Sequence, residues 1–353
     1  MKALACVLAV LGLTVGCAGG HGSADAGGDG SAEGVEDRLI VPSAPWRTDF
    51  SRRSVPLYEF RRGGPGKDGI PALVDPAFVT GEAAAEWLAP REPVIEVVLG
   101  SEAKAYPIQI LVWHEIVNDT VGGTPVVVSY CPLCNSALAF DRRVESRPLE
   151  FGVTGNLRNS ALVLYDRETE SWWQQFTGEA LVGNLTGTTL ARVPAAVVPF
   201  ARFASRHPEG AVLSRDTGYD RPYGARPYTD YDRPGTPTLF GTINQADARL
   251  PLKERVVYLE RDRDSVAIPF SALEEEGRID VEVGGEQLVA EWLPDVYSPF
   301  GQLDGGARVV GSAIVTSAET GEAAPYDIPF WFAVAAFDPD VRVVRASRSA
   351  VTG

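Results

Sequence analysis

The stretch HEIVNDTVGGTPVVVSYCPLCN, residues 114–135, holds an imidazole, two carboxylates, an amide and a CxxC pair close together in the chain. Three chemistries suit His114, Cys131 and Cys134. As a metal centre they supply three ligands and leave a position open, which fits a functional ion better than a closed structural zinc. Two thiolates and an imidazole suit copper or zinc, and a chain whose only methionine is Met1 does not resemble a methionine-rich copper carrier. As a dithiol, Cys131 and Cys134 could exchange with disulfides, with Cys131 as the attacking sulfur at the start of the turn. As a disulfide they would be a staple. His207, Glu115 or Asp119 could complete a fourth metal position.

These residues must be positioned by a hairpin. The runs EIVND (115–119) and VVVSY (126–130) carry β-branched residues on either side of Gly122-Gly123, the signal for a two-residue primed turn. With the glycines central, Val121 faces Thr124, and the register sets His114 opposite Cys131. Opposed Cβ atoms lie about 4.5–5.5 Å apart, close enough for one ion to bridge them. Asn118 and Ser129 share that face, while Val117, Val121, Val126, Val128 and Tyr130 form the buried one. Pro132 between the sulfurs predicts a tight loop or a first helical turn, where a thiol pKa can fall.

The N-terminal run Ala3–Val15 after one Lys has the layout of an export signal, too short to stay in a bilayer. Leu13, Val15 and Gly16 before Cys17 resemble a lipobox, so residues 1–17 are expected to be a lipoprotein signal peptide with Cys17 the lipidated residue. Residues 18–45 read as a Gly-, Ala- and acid-rich flexible tether, in which His21 is solvated. The expected location is extracytoplasmic, anchored to the cell membrane by lipid. With Cys6 and Cys17 set aside, Cys131 and Cys134 are the only cysteines left to the folded part.

The net charge of −15 excludes a nucleic-acid partner. The 45% hydrophobic content supports a packed core, and four Lys against 28 Arg carry no functional meaning. No GxSxG, P-loop, GxGxxG or HExxH appears, so neither a hydrolase nor a nucleotide cofactor is indicated.

An internal echo predicts the architecture. AYPIQIL at 105–111 returns as AIPFSAL at 267–273, 162 residues further on, and the same displacement pairs Val121-Gly122-Gly123 with Val283-Gly284-Gly285. FARFASRHPEG (200–210) similarly echoes WFAVAAFDPDV (331–341). The expectation is a β-dominated α+β fold: two copies of a β-hairpin-rich unit with short helices, an N-terminal lobe at 46–245 and a degenerate C-terminal lobe at 246–353. In the second copy His114, Asn118, Cys131 and Cys134 become Glu276, Asp280, Leu293 and Val296. Turn residues survive and the chemistry does not, so the C-terminal copy reads as scaffold.

Other candidates are Arg158 and Asn159 before an apolar strand, with Trp172, Trp173 and Gln174, as the wall of a pocket beside the CxxC. The bland reading is a second hairpin with core tryptophans. Residues 216–237, DTGYDRPYGARPYTDYDRPGTP, form a long loop suited to a cell-envelope glycan or protein partner, or to an ordinary connection.

KDGIPAL (67–73), AYPIQILVWHEIVNDTVGGTPVVVSYCPLCNSALAFDRR (105–143), NSALVLYDRETESWWQQFTGEAL (159–181) and DTGYDRPYG (216–224) together resemble the domain-of-unknown-function family 3179 (DUF3179) across residues 46–345. The resemblance implies that His114, Glu115, Asn118, Asp119, Cys131 and Cys134 belong to the family signature. It implies no activity.

Overall fold

The computed structural model describes residues 45–242, 247–301 and 307–345. The expected signal peptide, Cys17, His21, the expected tether up to residue 44 and the expected boundary at 245/246 lie outside the described residues.

Strands dominate, with five short helices, and the sheets form a propeller-like arrangement. Among the described residues there are three five-stranded sheets, two three-stranded sheets and a two-stranded ribbon. The sheet that carries the motif runs, in spatial order, Arg192–Val193, Ser136–Asp141, Thr124–Cys131, Ile116–Val121 and Leu73–Val74. Its central strands are buried on both faces, as expected where each face is covered.

The order hairpin, seven-residue helix, hairpin occurs at Pro93–Cys131 and again at Val256–Leu293, with helices Ile108–His114 and Phe270–Glu276 in corresponding places. Both turns use the same device. The backbone N–H of Gly122 donates to Glu102 Oε2 (2.6 Å), and that of Gly284 donates to Asp264 Oδ2 (3.0 Å). Gly122 has φ +55°, and a Cβ there would lie 2.3 Å from the Leu99 carbonyl oxygen, so both its conformation and its closeness to the chain require glycine.

The two expected copies are not set apart as two repeated units. Each of the two largest hydrophobic clusters draws on both parts of the chain: one runs from Leu73 to Ile328, the other from Ala72 to Val341. A hairpin-rich unit with one apolar face cannot bury that face alone, so the corresponding segments share their cores.

Asn118 and Asp119 serve this architecture. The Asn118 side chain accepts from Phe151 N (2.7 Å) and donates to the oxygens of Phe151 (2.8 Å) and Leu73 (3.3 Å), joining two sheets through a buried amide. Asp119 accepts from Lys104 Nζ (3.0 Å) and from Tyr106 OH (2.7 Å), both within the core. Asn118→Ala strands the buried N–H and C=O of Phe151. The expected loss is about 2–4 kcal/mol in urea unfolding; a loss under about 1 kcal/mol would mean that water takes the place of the amide.

Candidate functional site

Helix Ile108–His114 ends at Glu115, whose N–H still donates to Leu111 O (2.6 Å) while its φ is +59°. The position 162 residues on is Gly277, with φ +71° and the matching bond to Leu273 O. Each residue also accepts, through its carbonyl, an N–H from the returning strand: Tyr130 N to Glu115 and Trp292 N to Gly277, both 2.9 Å. The geometry is therefore one that glycine fills without strain, and a glutamate there costs about 1 kcal/mol.

The Glu115 side chain is buried and has no hydrogen-bond or ion-pair partner among the described residues. Burial alone pushes its carboxyl up to about 8. It lines a pocket of about 230 Å³ walled by Ile70, Leu133, Val153, Leu157 and Leu162, in which Arg221 is the only other charged lining side chain among the described residues. A mainly apolar hollow with a few convergent polar groups is the usual form of a small-molecule site.

The strand pair Phe151–Arg158 and Ala161–Asp166 slips register between Val153 and Leu157, and this stretch lines the pocket. Thr154 Oγ1 donates to Val163 O (2.6 Å) and accepts from Asn156 N (2.9 Å), which fixes the bulge and leaves the Asn156 side chain at the pocket wall. Gly155, at φ +76°, lets the bulge approach the backbone of Pro65 and Gly66.

The loop 216–237 covers the other side and brings Arg221, Pro227 and Tyr228 to the pocket. It is anchored well inside the protein: Asp232 accepts from Arg255 (2.5 Å) and Ser298 Oγ (2.8 Å) and pairs with Arg308. His114 holds its other end. Since a carbonyl can only accept, Nδ1 carries the proton given to Pro71 O (2.8 Å), and Nε2 accepts from Tyr223 OH (2.6 Å). Tyr223 in turn bonds to Thr217 Oγ1. Burial, helped by Arg221 nearby, holds the imidazole below its ordinary pKa and so keeps it neutral.

This corrects the expected metal geometry. The hairpin has the predicted register from Val121↔Thr124 to Ile116↔Ser129. The left-handed turn at Glu115 then takes the chain out of the ladder, and His114 belongs to the helix, not opposite Cys131. Both ring nitrogens are engaged by protein, and among the described residues no three His, Cys, Asp or Glu side chains converge as a ligand set for copper or zinc. His207 lies 3.4 Å from Glu96 Oε2, on another helix.

Cys131 and Cys134 are free thiols, 1% and 0% exposed. The CPLCN segment is a hairpin loop between paired strands, with Cys131↔Ser136 in register, and starts no helix. The expected source of an activated thiolate is thus missing; burial, followed by the bond and repulsion from Cys131, pushes the Cys134 thiol up.

Beside the thiols lies Lys253, 5% exposed, its Nζ buried without a hydrogen-bond acceptor and 3.1 Å from the Tyr231 ring centroid. The rings of Phe330 and Phe332 lie 4.8 and 5.0 Å from it. Burial pulls the amine down to about 7, against the attraction of Cys134, Asp232 and Cys131. Phe330 N also donates to Cys134 O (2.9 Å), and Asn135 Nδ2 donates to Ile328 O (2.8 Å). The C-terminal segment is therefore the wall of the CxxC loop as well as a scaffold.

The remaining candidates are packing residues. Arg158 Nε pairs with Glu59 (2.6 Å). Asn159 makes the left-handed turn after its strand, at φ +53°. Trp172 packs edge-on against Phe50 and Phe60, and Trp173 donates to Asp166 (2.9 Å). None of them lines the Glu115 pocket, although Asn156 and Leu157, just before them, do. The residues missed in the sequence are Asn156, Leu133, Tyr228 and Lys253.

The sequence matches the family model described as "Protein of unknown function (DUF3179)" over residues 67–341. No curated protein and no solved structure matches it.

Proposed function

We propose that this chain, which belongs to the DUF3179 family of proteins of unknown function, is an enzyme that performs general acid–base chemistry on a small molecule in the Glu115 pocket. The carrying observation is Glu115 itself: a carboxyl without a partner, held at a backbone angle suited to glycine, on the wall of an apolar hollow. Strain and desolvation of this kind collect at working sites. A carboxyl brought near neutral pH can give a proton to a bound substrate and take one back, which serves catalysis best when its pKa lies close to the working pH.

Export and lipid attachment at Cys17, expected from the N-terminal sequence, would place this chemistry outside the cytoplasm. The buried thiols favour neither exchange with a bulky partner nor, with His114 tied to Pro71 and Tyr223, a copper or zinc centre. They pack in the same hydrophobic cluster as Leu133, which lines the pocket.

The test is to incubate the full chain, and Glu115→Gln beside it, with a small-molecule extract at pH 7 and follow all masses. The expected result is a set of compounds consumed or formed by the wild type alone. No change with either protein, or the same change with both, would reject the reading.

A further inference from the structure

We infer that the pocket takes a small, largely apolar carboxylate, with Arg221 as the residue that receives its head group. The inference rests on the Glu115 pocket for its place, and on the acid–base role of Glu115 only for the chemistry after binding.

Arg221 stands apart from the arginines around it. Arg158 pairs with Glu59, Arg167 with Asp68 and Glu150, Arg226 with Glu92, and Arg255 with Asp232. In a chain with 47 acidic against 32 basic residues, carboxylates are plentiful enough to neutralise a guanidinium wherever that is its task. Arg221 has no such partner among the described residues and lines a pocket instead. It lines the same pocket as Glu115 without an ion pair between the two.

The loop that carries Arg221 is tied on both sides of it, by Thr217 to Tyr223 before it and by Tyr223 to His114 and Arg226 to Ser298 O after it, so the guanidinium starts from an ordered backbone. Nearby, the Asn156 amide and the Tyr228 hydroxyl are also without side-chain partners among the described residues. A lone guanidinium with neutral polar groups matches a single carboxylate, accepted through two parallel N–H bonds. A phosphate would call for further cations or a cradle of backbone N–H groups, and among the described residues the lining holds no second cation. The apolar remainder of the wall selects a hydrocarbon or aromatic body.

The experiment uses benzoate and its neutral analogue benzamide as probes, with binding to the full chain measured by calorimetry at pH 7. Benzoate is expected to bind at least about tenfold more tightly than benzamide, the discrimination that one charge-assisted contact provides. Arg221→Gln should erase the preference, with an unchanged circular dichroism spectrum, while Arg221→Lys keeps part of it. Equal affinity of the wild type for the two probes, or no binding of benzoate, would overturn the inference, and this outcome needs no variant to fold.

Glu115→Gln separates the two claims. It should retain the benzoate preference while losing turnover. A retained preference with unaffected turnover would reject the acid–base role alone; a lost preference in Arg221→Gln with turnover also unaffected by Glu115→Gln would leave only a binding site.

Discussion

Glu115→Gln is expected to lower turnover at least about 100-fold, the contribution of one positioned proton donor, and at the same time to make the protein more stable. The two states of the carboxyl set the sign. Its folded pKa is raised from 4.5 to about 8. Below pH 4.5 the group is protonated in both states and costs nothing through ionisation. From there to pH 8 the unfolded chain releases a proton that the folded chain keeps, so stability falls with rising pH by about 1.4 kcal/mol per unit.

The accumulated cost is about 3 kcal/mol at pH 7 and about 5 kcal/mol above pH 8. A glutamine does not titrate, so the gain of the variant over the wild type should be near zero at pH 4 and grow through this window. Glu115→Gly, which installs the residue found at the corresponding Gly277, should add about 1 kcal/mol by relieving the left-handed strain. Urea unfolding at pH 4, 6 and 8 measures both effects. A gain that is flat across the three would show that the carboxyl is not desolvated in the folded state, and the acid–base role would lose its physical basis. Stability gained together with activity lost is the behaviour of a residue kept for its chemistry.

The hairpin was legible because its information is local. Gly122-Gly123 and the β-branched runs dictate turn and register within a dozen residues, and the strands pair as the sequence implies. The echo over 162 residues was also visible, and the order hairpin, helix, hairpin returns at both places. What failed was the last step of the ladder. Nothing in WHEIV shows that a helix will run to His114 and turn through a left-handed Glu115, because the αL angle is read from glycine and this position has none.

The echo held the missing clue, since Gly277 stands where Glu115 does. A charged residue in the place of a glycine signals a strained turn. Leu133, Asn156, Arg221, Tyr228 and Lys253 come from distant parts of the chain, and their meeting depends on long-range packing that no spacing encodes. The loop 216–237 has no periodicity, so its anchoring became visible only with the bonds of Asp232 and Tyr223.

Lys253→Met is expected to stabilise the protein by about 3–5 kcal/mol at pH 6, and this gain should disappear at high pH. The folded pKa of this amine is lowered, from 10.5 to about 7. Above pH 10.5 the amine is neutral in both states and carries no ionisation penalty. Between 10.5 and 7 the unfolded chain takes up a proton that the folded chain refuses, so the wild type loses stability as pH falls, and below 7 the full penalty of about 5 kcal/mol remains. The aromatic rings around Nζ give back part of it, of order 2 kcal/mol for a desolvated contact. Methionine keeps the length and the apolar stem and removes the charge, the kind of exchange that buried, poorly paired ions tolerate well. The measurement is urea unfolding of both proteins from pH 6 to 10.5. The opposite outcome, a variant less stable near neutral pH, would mean that the ammonium is compensated in the folded state. Among the described residues, the only acids within its electrostatic reach are Asp232, already bonded to Arg255, Arg308 and Ser298, and the two thiols. A destabilised variant would thus assign the missing anion to a thiolate of Cys131 or Cys134 and turn a packed layer into a charged pair.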